Sequence, residues 1–104
     1  LVLDEPASAL DLRNQARVLS VLRSLADEGM AVVMTTHHPD HALHIAERSM
    51  LIIDPDDRRM GATRELLSGD LLTAMYGLEI VTADVATTSA VRRLTVPGFG
   101  RGVP

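Results

Sequence analysis

The chain contains no cysteine, no lysine and no tryptophan, and only two of its 104 residues are aromatic. Without cysteine it has no disulfide, thiol nucleophile or thiolate metal ligand, which is compatible with a reducing cytoplasm. Because the two aromatic residues are Tyr76 and Phe99, any hydrophobic core must be built from aliphatic side chains. The 46% hydrophobic content nevertheless predicts a folded chain, large enough for one small domain.

Long apolar runs and basic surfaces are also lacking. No apolar run is long enough to cross a bilayer, and the first residues show no signal-peptide pattern. We therefore expect no direct membrane insertion, and any membrane association through a protein partner. The formal net charge is −4, and the only basic clusters are the doublets Arg58-Arg59 and Arg92-Arg93. A nucleic-acid surface needs a clustered basic face, so no nucleic-acid partner is expected.

The first six residues combine an apolar triplet with two adjacent carboxylates. Leu1–Leu3 has the composition of a buried parallel strand, which would deliver Asp4 and Glu5 to its carboxyl end. Parallel α/β sheets bind their ligands at that edge. Asp followed by Glu suits nucleotide hydrolysis, because the first can hold Mg²⁺ through water and the second can orient or deprotonate an attacking water.

A helix and a second strand follow. Asp11 is placed to cap a helix that runs to about Glu28, and Gly29 is a typical C-terminal stop. Apolar residues recur within it at helical spacing and predict one buried face. The run Met30–Met34 is continuously apolar, as in a strand covered on both faces. This strand–helix–strand order favours a right-handed parallel crossover.

The second half of the chain predicts shorter elements. Pro39 and Asp40 begin a helix to about Glu47, and a strand over 49–53 follows. The Asp-Pro-Asp-Asp turn at 54–57 predicts a hairpin whose second strand covers 58–61. The remaining predictions are helices over 64–67 and 71–76, capped by Thr63 and Asp70, with Gly77 ending the second, and strands over 79–82 and 91–96.

Three segments, in order and spacing, resemble the Walker B strand, D-loop and switch-histidine loop of ABC-type ATPases. They are Leu1-Val2-Leu3-Asp4-Glu5-Pro6, Ser8-Ala9-Leu10-Asp11 and Val32-Val33-Met34-Thr35-Thr36-His37-His38-Pro39. With Leu71-Leu72-Thr73-Ala74-Met75-Tyr76-Gly77, they are similar to the ATP-binding subunits that power import of iron–siderophore complexes, haem and cobalamin. The resemblance covers Leu1 to about Val81. It implies an α/β fold: the C-terminal part of a P-loop NTPase (RecA-like) parallel-sheet core, with a small α/β appendage.

The resemblance also implies roles for individual residues. Glu5 would polarise the attacking water, and His37 matches the switch histidine that contacts the γ-phosphate; these two are the expected catalytic residues. Asp4 would hold Mg²⁺ through water. Ser8 and Asp11 match the D-loop, which in the family communicates across a two-subunit sandwich, although helix capping alone would explain Asp11. The implied cofactors are ATP and Mg²⁺. The implied partners are a second ATP-binding subunit in a homodimer and membrane permease subunits, at the cytoplasmic face of the inner or cell membrane.

Other motifs of the family are missing from the sequence. It contains no G-x-x-x-x-G-K-S/T phosphate loop, no glutamine loop and no LSGGQ-type signature. Leu67-Ser68-Gly69-Asp70 echoes the signature but lacks its second glycine and follows the Walker B strand, so we predict a turn between helices. The chain also begins inside a predicted strand. We therefore expect the C-terminal portion of a longer ATPase, which does not hydrolyse ATP alone because the phosphate cradle is absent.

We predict that 1–54 belongs to the nucleotide-binding core, 55–96 to the appendage and 97–104 to a loose tail. Two alternatives to an importer ATPase remain open: a fragment of a non-transport ABC ATPase, for example in DNA repair or translation, and a truncated product without enzymatic activity.

A metal site is a further hypothesis, because His37, His38, His41 and His44 include pairs with helical spacing. We do not expect a dedicated site there, since structural zinc normally needs four ligands.

Overall fold

The computed structural model describes residues 1–98, which alternate between strands and helices. In chain order the elements are β1 Val2–Asp4, α1 Leu12–Asp27, β2 Val33–Thr35, α2 Pro39–Ile45, β3 Arg48–Asp54, β4 Asp57–Ala62, α3 Thr63–Leu66, α4 Gly69–Tyr76, β5 Ile80–Ala86 and β6 Val91–Pro97. No helix in this described part is long and apolar enough to cross a membrane.

β1 and β2 form a parallel pair joined by α1, as the crossover prediction required. The register pairs Val2 with Val33 and Asp4 with Thr35, so both strands end at the same edge. The second strand begins later than predicted, at Val33. The expectation that it is covered on both faces is wrong for this chain, since Val2 is 80% and Val33 60% exposed. Because Val2 and Val33 are paired in the register, both lie on the same exposed face of the two strands.

The caps of α1 agree with the prediction. The Asp11 backbone is extended, and its Oδ1 accepts a hydrogen bond of 2.9 Å from the backbone N–H of Asn14. The helix ends at Asp27, and Gly29 follows in the left-handed region with a φ of 102°. Leu19 and Leu22 are buried on the inner face of the helix. The start of α1, and therefore the end of the loop after Glu5, is thus defined by a local signal.

A separate aliphatic core joins α2 to the elements that follow it. Five residues from α2, β3, the end of α3, α4 and β5 form its buried cluster: Ala42, Leu51, Leu67, Leu72 and Ile80. The β3–β4 hairpin forms as predicted, with Asp54 opposite Asp57. β5 is longer than predicted and pairs antiparallel with β6. The pairing begins with Ile80 opposite Pro97 and ends with Ala86 opposite Val91.

Two predicted helix caps are wrong. Thr63 is the first residue of α3 rather than its cap, and it is buried with its hydroxyl 2.8 Å from that of Ser49. The tertiary contact thus uses the hydroxyl that would have capped the helix. For α4 the cap is Ser68, whose Oγ accepts from the Leu71 N–H at 3.2 Å. Asp70 lies in the first turn instead.

Other ends also differ from the sequence predictions. α2 stops at Ile45, because Ala46 is already extended. Gly77 ends α4 in the left-handed conformation, as predicted. β6 reaches Pro97, and the N–H of Gly98 donates to the carbonyl of Glu79 at 2.8 Å. The rest of the predicted tail, 99–104, lies outside the described residues.

Candidate nucleotide site

The parallel register of β1 and β2 brings Glu5 and His37 together. Both residues follow the ends of adjacent strands, and His37 Nε2 lies 3.4 Å from Glu5 Oε1. The imidazole is 85% exposed and the carboxylate 30% exposed. The two residues predicted to be catalytic therefore share one open edge, where a ligand could reach both side chains.

The backbone of Glu5 is strained. Its φ is 45°, the only positive value at a residue other than glycine within the described chain. A left-handed residue of this kind costs about 1–2 kcal/mol, and the residue before a proline usually prefers extended backbone. The Glu5 N–H is held by two acceptors of Thr35, the carbonyl and Oγ1, each at 3.1 Å. Strain of this sort concentrates at functional sites, where neighbouring structure maintains it.

Asp4 and Thr35 are directly opposite each other at this edge. The Thr35 hydroxyl donates to Asp4 Oδ1 and accepts from Glu5 N–H, so a single side chain links both carboxylate residues. Asp4 is exposed, and its second oxygen remains available to water. Within residues 1–98 no group of three or more His, Cys, Asp or Glu side chains is arranged to hold a metal ion. Asp4 therefore fits a water-mediated contact to Mg²⁺, but the described residues do not supply a full ligand set.

The segment between Glu5 and Asp11 folds back in successive turns. The N–H of Ser8 donates to the Glu5 carbonyl at 3.2 Å, and that of Leu10 to the Ala7 carbonyl at 3.4 Å. Ala7 is buried, whereas Ser8 is exposed and bonded through its N–H to the Glu5 carbonyl. The Asp11 carboxylate is already used as the cap of α1. Ser8 is thus open to a partner, and Asp11 has a structural use.

The histidines after β2 do not all share one environment. The rings of His38 and His41 are 4.7 Å apart between centroids. Burial lowers the pKa of His41, and the neighbouring His38 and His44 lower it further, while Asp40 acts in the opposite direction. Burial and the charge of Arg92 also lower the pKa of His44. Both imidazoles therefore favour the neutral form at neutral pH.

Sequence reasoning did not identify three contacts around this edge. Thr35 bonds to both Asp4 and Glu5, and only the register of the two strands could have indicated it. The Tyr76 hydroxyl lies 3.5 Å from the His37 carbonyl oxygen, and the two residues are 39 positions apart. Thr95 donates to Asp40 from far along the chain, so no local pattern signals it.

Comparisons with known proteins identify relatives with a common activity class. No protein-family model matches the chain. It is 44% identical over 79 residues to the molybdate import ATP-binding protein MolC of Haemophilus influenzae, covering 75% of this chain and 31% of that protein. It is 34% identical over 98 residues to the cobalamin import ATP-binding protein BtuD of Halobacterium salinarum, covering 93% of this chain and 25% of that protein. For the vitamin B12 import ATP-binding protein BtuD of Escherichia coli the identity is 32% over 85 residues, covering 82% of this chain and 34% of that protein.

A solved structure gives the same result for the fold. A metal-chelate type ABC transporter in an inward-facing conformation superposes with a TM-score of 0.91 at 36% identity, covering 98% of this chain and 41% of the solved one. This match confirms the predicted α/β fold class. The chain spans about a quarter to a third of the length of the curated relatives. The chain therefore belongs to the family of ABC-transporter ATP-binding subunits, and its homologues within that family serve importers.

Proposed function

We propose that this chain is the water-activating and γ-phosphate-sensing part of the ATP-binding subunit of an ABC importer. The observation that carries the proposal is the contact between Glu5 and His37, 3.4 Å apart at the carboxyl edge of the parallel strand pair. The strained backbone of Glu5 supports it, because the protein maintains an unfavourable conformation at this residue.

The chemistry assigned to each residue follows from its donors and acceptors. The Glu5 carboxylate orients an attacking water and accepts its proton. The exposed Nε2 of His37 donates a hydrogen bond to a γ-phosphate oxygen and loses that partner after hydrolysis. Asp4 contacts Mg²⁺ through water, and the ion would neutralise charge on the phosphates. Thr35 holds Asp4 and Glu5 in fixed relation to each other.

The proposed partners are a second copy of the ATP-binding subunit and a pair of membrane permease subunits. Ser8 lies exposed beside Glu5, where it could contact the second subunit of a homodimer across a shared MgATP. In this proposal Asp11 supports the same loop by capping α1. The complex would place the chain on the cytoplasmic face of the membrane, held there through the permease.

For the cargo we propose cobalamin, haem or an iron–siderophore complex. Two of the relatives are named for cobalamin or vitamin B12 import, and the solved neighbour is a metal-chelate type transporter. MolC is named for molybdate import, so an oxyanion is the alternative outcome of a transport assay. The residues at the candidate site bear on nucleotide chemistry, and the cargo would be selected elsewhere in the transporter.

We further propose that the 104-residue chain does not turn over ATP alone. Its sequence contains no lysine and no glycine-rich phosphate loop. Fixed donors that stabilise developing charge usually contribute the largest catalytic effect, and here the phosphates lack them. The isolated chain therefore carries the water-activating groups without a phosphate cradle.

The test compares the isolated chain with the full-length product of the gene that encodes it, purified with its permease. We expect Mg²⁺-dependent ATP turnover only in the full-length complex, and its loss in Glu5→Gln. Glu65→Gln is the matched control, because Glu65 is an exposed glutamate on α3. Turnover by the isolated chain that Glu5→Gln abolishes would contradict the inactivity proposal alone.

A non-enzymatic product is the second candidate, and the exposed β1–β2 face is the feature on which its behaviour in solution would depend. Val2 and Val33 are largely exposed there, and such apolar surface promotes aggregation when nothing covers it. A cellular protein with a mass near the chain's 11.2 kDa, without ATP turnover in any complex, would support this candidate.

A further inference from the structure

Two residues from the C-terminal part of the chain contact the loop that carries His37 and the helix α2 that follows it. The Tyr76 hydroxyl, at the end of α4, lies 3.5 Å from the His37 carbonyl oxygen, the long end of the hydrogen-bond range. Thr95 of β6 donates its backbone N–H and its hydroxyl to Oδ1 of Asp40, in the first turn of α2, at 2.7 and 3.0 Å. We call Tyr76 and Thr95 the C-terminal clamp.

The Asp40–Thr95 contact is the stronger half of the clamp. Hydrogen bonds to a carboxylate are shorter and stronger than those between neutral groups, and one Asp40 oxygen accepts two of them here. Both residues are partly buried, which reduces competition from water. β6 pairs only with β5 within the described residues, so its other edge is free to offer the Thr95 N–H to α2.

The local hydrogen bonds of the histidine loop are those from the His38 N–H to Thr36 Oγ1 and from the His41 N–H to the His38 carbonyl, each at 3.0 Å, and neither involves the backbone of His37. α2 has only seven residues, and its cap residue, His38, makes no side-chain capping bond. A helix of this length is not stable without tertiary contacts. The His37 side chain is 85% exposed, so neighbouring side chains do little to fix its ring. The position of His37 relative to Glu5 thus depends on what holds its backbone and α2.

We propose that Tyr76 and Thr95 are positioning residues, which act through the His37 carbonyl and the Asp40 carboxylate to keep Nε2 of His37 within reach of Glu5. The proposal rests on the proposed function, because the position of His37 affects turnover only if His37 acts on the nucleotide. It makes the C-terminal hairpin β5–β6 part of the nucleotide site's support, so that a movement of the hairpin would change hydrolysis.

The experiment uses the full-length subunit in its permease complex and measures kcat, the KM for ATP and the melting temperature. Misplacement of a catalytic group by about 1 Å can cost up to ~10²-fold in rate. We therefore expect Asp40→Ala to lower kcat by about fivefold or more, with the KM for ATP changed by less than about twofold. Asp40→Asn keeps an oxygen that can accept from Thr95, and it should restore most of the rate.

Tyr76→Phe and Thr95→Val remove single hydroxyls, and their double variant should lower kcat by a smaller factor than Asp40→Ala, because the backbone N–H of Thr95 still donates to Asp40. Thr82→Val is the matched control, because Thr82 lies directly opposite Thr95 in the hairpin and makes no hydrogen bond to α2 among the described residues. These conservative variants keep the test decisive if Asp40→Ala misfolds.

Wild-type kcat in both Asp40→Ala and the double variant would overturn the inference, whereas the proposed function would stand as long as Glu5→Gln remained inactive. A rate loss that follows the melting temperature, and is not restored by Asp40→Asn, would also overturn it, because the contact would then be structural only. If Glu5→Gln keeps the wild-type rate, the proposed function fails and the inference fails with it.

Discussion

The imidazole of His37 and the carboxylate of Glu5 meet across the end of the β1–β2 pair, with Nε2 and Oε1 3.4 Å apart. The relationship depends on register: Asp4 pairs with Thr35, and each strand then turns away immediately after that pair. A shift of one residue would move every side chain to the opposite face of the strand. The geometry of the site is therefore a property of the parallel pair rather than of either loop.

Thr35→Val is expected to weaken this arrangement. The valine keeps the shape and the strand preference of threonine, but it removes the hydroxyl that joins Asp4 and the Glu5 N–H. We expect a loss of about 1 kcal/mol in the free energy of unfolding, by urea titration, and a reduced kcat in the full-length complex. Thr88→Val, in the exposed turn between β5 and β6, is the control. An unchanged kcat in Thr35→Val would show that the link has no part in turnover.

Asp11→Ala should destabilise the chain by about 1 kcal/mol, because the N–H of Asn14 loses its capping acceptor. Asn is an equally good cap, so Asp11→Asn should recover the unfolding midpoint. Urea unfolding of the three proteins checks the prediction. If Asp11→Asn is as unstable as Asp11→Ala, the carboxylate charge matters more than the cap. Restored stability without restored turnover would instead support the D-loop role.

Gly69→Ala should be more destabilising than an ordinary glycine substitution. A Cβ at Gly69 would lie 2.8 Å from the carbonyl oxygen of Ile80, so α4 and β5 would have to separate. Such overpacking costs about 1–3 kcal/mol. Gly61→Ala is the matched control, because a Cβ there meets no atom within 4 Å. Equal unfolding midpoints for the two variants would contradict the close approach of α4 to β5.

The stability of the chain should fall as the pH drops below about 6.5. Burial lowers the pKa of His41 and of His44 below the ordinary value of 6.5, aided by His38 and Arg92 respectively and opposed at His41 by Asp40. The unfolded chain therefore takes up these protons first. The stabilising contribution is complete above the unfolded pKa and is lost as the pH falls through the folded one.

Urea midpoints at several pH values between about 7.5 and 5, with NMR titration of the imidazoles, check this prediction. The double variant His41→Gln/His44→Gln should show a flatter dependence than the wild type. Arg92→Gln should raise the pKa of His44 while leaving that of His41 nearly unchanged. An unaltered slope in the double variant would place the origin of the dependence in other groups.

Local signals were sufficient where one residue decided the structure. Asp11 as a cap, Gly77 as a helix end and the Asp-Pro-Asp-Asp turn were predicted correctly because each acts within a few residues. The cap at Thr63 was wrong because a tertiary partner, Ser49, uses its hydroxyl. The prediction that both faces of the second strand are buried was wrong, because the burial of a strand depends on what lies against each face.

At the candidate site, too, some features follow from local sequence and others from tertiary contacts. Asp4 and Glu5 could be selected from the sequence, because carboxylates after an apolar strand lie at a sheet edge, and the resemblance to ABC-type ATPases added His37. The positive φ of Glu5 could not, since a glutamate before proline ordinarily adopts extended backbone. The Asp40–Thr95 contact is equally invisible in sequence, because its two residues are 55 positions apart.

The central claim is that Glu5 activates water in an ABC-type ATPase. The most direct test is ATP turnover by the full-length complex, wild type against Glu5→Gln, with MgATP binding measured in parallel. We expect the variant to bind MgATP with an affinity close to that of the wild type. Its rate of hydrolysis should be lower by at least ~10²-fold, as loss of a general base implies. Hydrolysis by Glu5→Gln at the wild-type rate would contradict the assignment.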